Sequence, residues 1–204
     1  MGVRQRCVIA RPGGDLAGSR VRVSRRGGFW AGACAAALTL WSVPGAPRAD
    51  PQALELAVKA TYLYRLAAFV TWPGEDTGAP PSPVTLCVQG ADPFGDILDR
   101  LIAGRRPGGR PIVVKRVARL EPRSGCQIAY VAGGPGQSPA QALEAVNTAP
   151  VVTVTDEARG GAHGIVHLIE DGPRVRFSID AAQASESGVT LSSKLMALAV
   201  TVKR

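Results

Sequence analysis

The side chains with the widest chemical range in this sequence are two histidines, four cysteines, a serine–lysine cluster and a glycine-bounded loop. His163 and His167 stand four residues apart, a spacing that on a β-strand turns both rings to one face and could offer two ligands to a metal ion. No third ligand lies nearby, and Gly160, Gly161 and Gly164 surround His163, so the pattern reads better as a surface-turn histidine than as a metal centre. Ser192-Ser193-Lys194 brings hydroxyls beside an amine, but Leu191 occupies the position where a Ser-x-x-Lys nucleophile would need its serine, and no Gly-x-Ser-x-Gly occurs. Gly90-Ala91-Asp92-Pro93-Phe94-Gly95 lies between an expected strand and an expected helix, a place where phosphates often bind. It lacks the Lys-Ser/Thr of a P-loop and the three-glycine spacing of a dinucleotide site, and a capped turn explains it without a ligand. No catalytic residue, cofactor or metal site is assigned, and the chain reads as a binding protein rather than an enzyme.

The cysteines divide by position. Cys7 and Cys34 fall in the first 49 residues, where Arg4, Arg6, Arg11, Arg20, Arg22, Arg25 and Arg26 precede an apolar stretch from Phe29 to Val43 that ends in Pro44-Gly45-Ala46. That is the pattern of a signal peptide, and it sets the expected mature start near Asp50. Ser24-Arg25-Arg26 has a twin-arginine flavour, although Phe29 sits one place later than that signal prefers, so general and twin-arginine export both stay open. Ala31-Gly32-Ala33 before Cys34 lacks the aliphatic residue of a lipidation signal. The remaining pair, Cys87 and Cys126, is either a disulfide or two buried thiols, and the oxidising compartment implied by the leader favours the disulfide.

The leader also explains the charge. The whole chain carries a formal +8, but from residue 50 onward there are sixteen basic and fifteen acidic side chains. A nearly neutral domain without a basic stripe lacks the phosphate-neutralising charge on which nucleic-acid affinity depends.

The elements that must position these residues follow an alternating order. Asp50 to Thr71 reads as a largely buried helix, capped by Asp50, begun by Pro51 and stopped by Trp72-Pro73. Val84 to Val88 reads as a strand, Phe94 to Ile102 as a helix capped by Asp92, and Ile112 to Val117 as a second strand. Gln127 to Val131 and Val151 to Val154 are further strands, separated by a helix that starts at Ser138-Pro139. Ile165 to Ile169 and Val175 to Ile179 read as an antiparallel hairpin turning at Asp171-Gly172. Helices are expected over Asp180 to Ser187 and Ser192 to Val200. Strands alternating with helices and then a hairpin predict a three-layer α/β/α sandwich with a mixed, mostly parallel sheet, built as one domain over residues 50–204.

The order of several segments is similar to a known family. Ala57 through Pro73, with its Phe69-Val70-Thr71-Trp72-Pro73 ending, then Cys87-Val88-Gln89-Gly90-Ala91-Asp92-Pro93-Phe94-Gly95, resembles the opening of the YfiR family. Cys126-Gln127-Ile128-Ala129-Tyr130-Val131, Val175-Arg176-Phe177-Ser178-Ile179-Asp180 and Leu191-Ser192-Ser193-Lys194-Leu195 follow in that family's order. The resemblance implies a non-catalytic periplasmic regulator that binds the periplasmic domain of a membrane-bound diguanylate cyclase and restrains cyclic-di-GMP and biofilm formation. It also implies a homodimer, and it maps the family's first cysteine pair onto Cys87 and Cys126. The family's second, closely spaced pair would fall near residues 161–168, where this sequence has no cysteine. A periplasmic small-molecule binding or sensory module is the alternative, resting on an α/β architecture whose loops at the strand ends could form a pocket.

Overall fold

The structure, a computed structural model, describes residues 50–74 and 82–204. The expected leader, with Cys7, Cys34 and the arginine-rich stretch, lies outside the described residues, as does most of the proline-rich loop after Gly74.

Helix α1 spans Pro51–Leu66, with the Asp50 carboxylate accepting from Gln52 N at 3.0 Å and Pro51 in the first turn. It is shorter than the expected Asp50 to Thr71. After a turn in which Phe69 N donates to Leu66 O, Val70–Thr71 forms a short strand, β1. β-Branched residues fit a pleated ladder better than a helix end, and here a partner is available from far along the chain: β1 pairs antiparallel with β8, Thr190–Leu191. Trp72 is then buried and donates from its ring nitrogen to Gln127 O at 3.2 Å.

The main sheet has seven strands in the order β3, β2, β4, β5, β6, β7, β9, where β2 is Val84–Gly90, β3 Ile112–Val117, β4 Ile128–Gly133, β5 Val152–Asp156, β6 Val166–Asp171, β7 Arg174–Asp180 and β9 Thr201–Lys203. β3, β2, β4, β5 and β6 run parallel; β7 turns back on β6, and β9 lies parallel to β7 at the edge. The sheet is therefore mixed and mostly parallel, as the alternation of elements predicts. Every residue of β4 and β5 is buried, the mark of strands covered on both faces.

Alternate residues sort cleanly between two apolar layers. Leu86, Val88, Ile128, Tyr130, Val152 and Val154 face α1 and α2 (Asp96–Ile102) in the larger core. Cys87, Ala129 and Val131 face the other way, toward Ala142 of α3 (Pro139–Ala145) and Val146 just beyond it. Two helical layers with a sheet between them make the α/β/α sandwich. Ser138 starts α3 with a full capping box, its hydroxyl accepting from Gln141 N while the Gln141 side chain accepts from Ser138 N.

Two further helix expectations change. Asp92 does not cap α2: its Oδ1 accepts from Phe94 N at 2.7 Å and its Oδ2 from Arg116 Nε at 2.7 Å. Those bonds hold Pro93 and Phe94 in a turn, so the helix starts only at Asp96, and the Phe94 ring packs edge-on against Tyr130 at 4.8 Å. The helix expected over Ser192 to Val200 is a single turn, α5 (Ser193–Met196), after which the chain turns to enter β9. By contrast α4, Ala181–Glu186, begins where Asp180 accepts from Gln183 N at 3.0 Å, close to its expected place.

Candidate functional site

In an open α/β sheet a ligand usually enters where the strand order reverses, at the carboxyl ends of the strands. Here that point lies between β2 and β4, and it is filled. Gly90 sits at φ +82° with its Cα so close to Gly133 that a Cβ would stand 2.1 Å from Gly133 O. Ala91 N donates to Gly133 O at 2.8 Å, and the buried Gln89 side chain accepts from Gly133 N and donates to Ala118 O and Gln137 O. The Gly90–Gly95 segment is thus a packing device for two strand ends.

The other residues singled out from the sequence do not converge. Ser192 starts α5, its Oγ accepting from Leu195 N at 3.3 Å, while Ser193 and Lys194 are exposed. Cys87 and Cys126 are joined as a disulfide, with Sγ atoms 1.93 Å and Cα atoms 5.7 Å apart. The bond crosses from β2 to the residues that lead into β4, beneath the α3 layer. Among the described residues no three His, Cys, Asp or Glu side chains gather in a way that could hold a metal ion.

The two histidines do meet, as stacked rings with centroids 3.8 Å apart. His163 is exposed, whereas His167 is 5% exposed, and its Nδ1 lies 2.9 Å from Thr155 Oγ1. That hydroxyl accepts from Gly164 N at 2.9 Å, which leaves its own proton for His167 Nδ1 and fixes the glycine-rich turn to the sheet. Burial and the His163 charge hold the His167 pKa below the usual imidazole value, against the opposing pull of Glu157 and Asp156. A folded-state pKa below the unfolded one means that the unfolded chain binds the proton more readily. The stabilisation is therefore complete above the unfolded value of about 6.5 and is lost as pH falls toward the folded value. Thermal melts between pH 7 and 5 should show a declining midpoint, and His167→Asn, which keeps an acceptor for Thr155, should flatten that decline; an equal slope in both proteins would refute the assignment.

The most unusual constellation was not legible as a site in the sequence. Lys59, on α1, is 1% exposed, and its ammonium contacts three carboxylates: Glu55 at 2.7 Å, Asp156 at 2.7 Å and Glu170 at 2.8 Å. Asp156, at the carboxyl end of β5, is itself buried and also accepts from the Tyr130 hydroxyl at 3.0 Å and from Ala158 N at 3.1 Å. Burial alone would lower the Lys59 pKa, but the hydrogen bonds to Asp156, Glu170 and Glu55 outweigh it and hold the ammonium above the usual lysine range. Burial, with the Asp156 charge beside it, likewise pushes the Tyr130 hydroxyl above its ordinary value. Neither group can act as a base near neutral pH. The cluster is a fixed electrostatic rivet that ties α1 to the ends of β5 and β6. One signal was available: a lysine four residues after a glutamate, on a helix expected to be largely buried, needs a partner inside the fold.

Beside this rivet lies a groove of about 800 Å³, walled by α1 on one side and by β7 and residues 198–200 on the other. Glu55 and Glu170 belong to both features. Its floor is braced by the Tyr62 hydroxyl donating to Val175 O at 3.1 Å and by the edge-on contact of Tyr62 with Phe177, 5.6 Å between centroids.

Comparison with protein-family models matches residues 56–200 to YfiR/HmsC-like proteins, DUF4154. The chain belongs to the YfiR/HmsC-like family. No curated protein matches it. The YfiR/HmsC-like region begins inside α1 and ends just before β9, so it takes in Lys59, Asp156, Glu170, Tyr130, the bonded cysteines and all of the groove except its first few residues on α1. Within this region no described helix is long and apolar enough to cross a membrane.

Proposed function

We propose that this protein is a non-catalytic periplasmic regulator, exported by a signal peptide over residues 1–49, that binds the periplasmic domain of a membrane-bound diguanylate cyclase and holds the enzyme inactive. Cyclic-di-GMP synthesis and biofilm formation fall as a result. The observation that carries this reading is the YfiR/HmsC-like match over residues 56–200, which takes in six of the seven strands of the main sheet. The chemistry of the domain agrees with it: Gly90 and Gly133 pack backbone to backbone at the switch point, and the buried lysine and tyrosine are held in their protonated forms. In this account the protein acts as a homodimer, and the Cys87–Cys126 bond is open to redox control. A sensory module that takes a small ligand is a second reading, favoured by the apolar groove beside α1.

Affinity capture of the tagged chain from membranes of its source bacterium, followed by mass spectrometry, tests the leading reading. The expected result is recovery of a membrane protein that combines a periplasmic domain with a cytoplasmic diguanylate cyclase domain. Recovery of no membrane signalling protein would overturn it.

A further inference from the structure

We propose that the stacked pair His163–His167 is an acid-operated latch: with a proton on both rings the pair parts, and the glycine-rich turn from Gly160 to Gly164 lifts away from β6 and β7. The latch is independent of the cyclase reading and of the groove beside α1.

Apart from the rings, the turn is lightly held. Gly160 N donates to Glu157 O at 3.1 Å, and among the described residues no backbone hydrogen bond ties residues 161–163 to the sheet. At the far end two hydroxyls of β5 hold the chain: Thr155 Oγ1 accepts from Gly164 N at 2.9 Å, and Thr153 Oγ1 accepts from Ile165 N at 3.0 Å. The turn also has room to move. It forms one wall of a cavity of about 370 Å³ whose other wall includes His167 and Ile169 of β6 and Ser178 of β7.

A proton on His167 works against the closed turn in two ways. Its ring centroid lies 3.8 Å from that of His163, so a charge on each ring sets like charges against one another, and His167, 5% exposed, has little water to screen them. The hydrogen bonding is upset as well. In the neutral ring Nδ1 accepts from the Thr155 hydroxyl, and a second ring proton must go on that nitrogen. Thr155 Oγ1 would then accept from both Nδ1 and Gly164 N, and its own proton would lose the acceptor it had.

The opposing charges are already engaged. Asp156, at the end of β5, meets Lys59 at 2.7 Å and accepts from Tyr130 and Ala158 N, while Glu157 accepts from Glu170 N at 3.1 Å. β6 and β7 line the cavity with Ile169 and Ser178, neither of them ionisable, and Arg176, opposite Ile169 on β7, pairs with Asp171 at 2.9 Å. Burial and the His163 charge prevail over the two carboxylates at His167. The closed turn therefore binds the proton less readily than the open one, so opening is favoured as pH falls through the ordinary imidazole range near about 6.5 and suppressed above it.

The test is amide hydrogen exchange on the purified full chain at pH 7.5 and 5.0, each rate divided by the intrinsic rate at that pH. Protection of the Gly164 and Ile165 amides should fall about tenfold at the lower pH, with no dependence on low concentrations of urea, the mark of local opening. His163→Phe, which keeps a ring over His167 and removes the charge, should hold both amides at pH 5.0 near their protection at pH 7.5. Unchanged protection in the wild type, or a fall that persists in His163→Phe, would overturn the proposal. So would exchange at Gly164 that follows urea as the Tyr130 amide in β4 does, since the pair would then part only when the whole domain unfolds.

Discussion

Lys59→Met is expected to destabilise the domain by about 3–5 kcal/mol, because it strands the buried Asp156 carboxylate beside Tyr130 without its cation. For a domain of this size that corresponds to a fall in melting temperature on the order of 10 °C. Glu55 and Glu170, each about two-fifths exposed, can turn to water and should contribute little to the loss. Asp156 cannot, since it is 3% exposed and anchored by Ala158 N. The double variant Lys59→Met/Asp156→Asn should recover most of the stability, as the amide still accepts from the Tyr130 hydroxyl and no charge is left buried. A denaturant titration of the wild type and both variants checks this. A single variant as stable as the wild type, or a double variant no better than the single, would show that the rivet is not what holds α1 on the sheet.

Loss of the Cys87–Cys126 bond is the second large effect. The two cysteines are 39 residues apart, and closing a loop of that length restricts the unfolded chain by about 4 kcal/mol in the chain-entropy description. Cys87→Ala/Cys126→Ala should lower the melting temperature by roughly 8–16 °C while keeping the native circular dichroism spectrum. Alanine is the better replacement than serine because both sulfurs lie in the apolar layer under α3, where an added hydroxyl would need a partner. Reduction of the wild type should reproduce the shift. If reduction leaves the melt unchanged, the bond is not a source of stability and its place in the fold needs another explanation.

How far the sequence could be read depended on the range of the interactions involved. Ser138-Pro139 and Asp180 announce their helices through bonds made within three residues, and the structure places both helices there. The hairpin after Ile165 is likewise local, with Gly172 supplying the positive φ of its turn. Errors gather where a distant partner decides the outcome. Val70–Thr71 leaves the helix because Thr190–Leu191 is waiting to pair, and Asp92 is drawn from capping by Arg116, 24 residues away. The candidate site is an extreme case: the Lys59–Glu170 contact spans 111 positions, and the groove joins the start of α1 to residues near the end of the chain. Periodicity could mark α1 as buried, but nothing local could say that a lysine on it meets three carboxylates, or that its outer face is left open.

The function proposed for the protein, restraint of a diguanylate cyclase from the periplasmic side of the membrane, makes cellular cyclic-di-GMP the quantity to follow. Cellular cyclic-di-GMP, measured by mass spectrometry in the source bacterium with the gene deleted and then restored, tests it most directly. A rise on deletion, a return to the starting level with the full chain, and no return with a chain that begins at Asp50 and is not exported are the expected results. An unchanged level on deletion, or full restoration by the unexported chain, would contradict it.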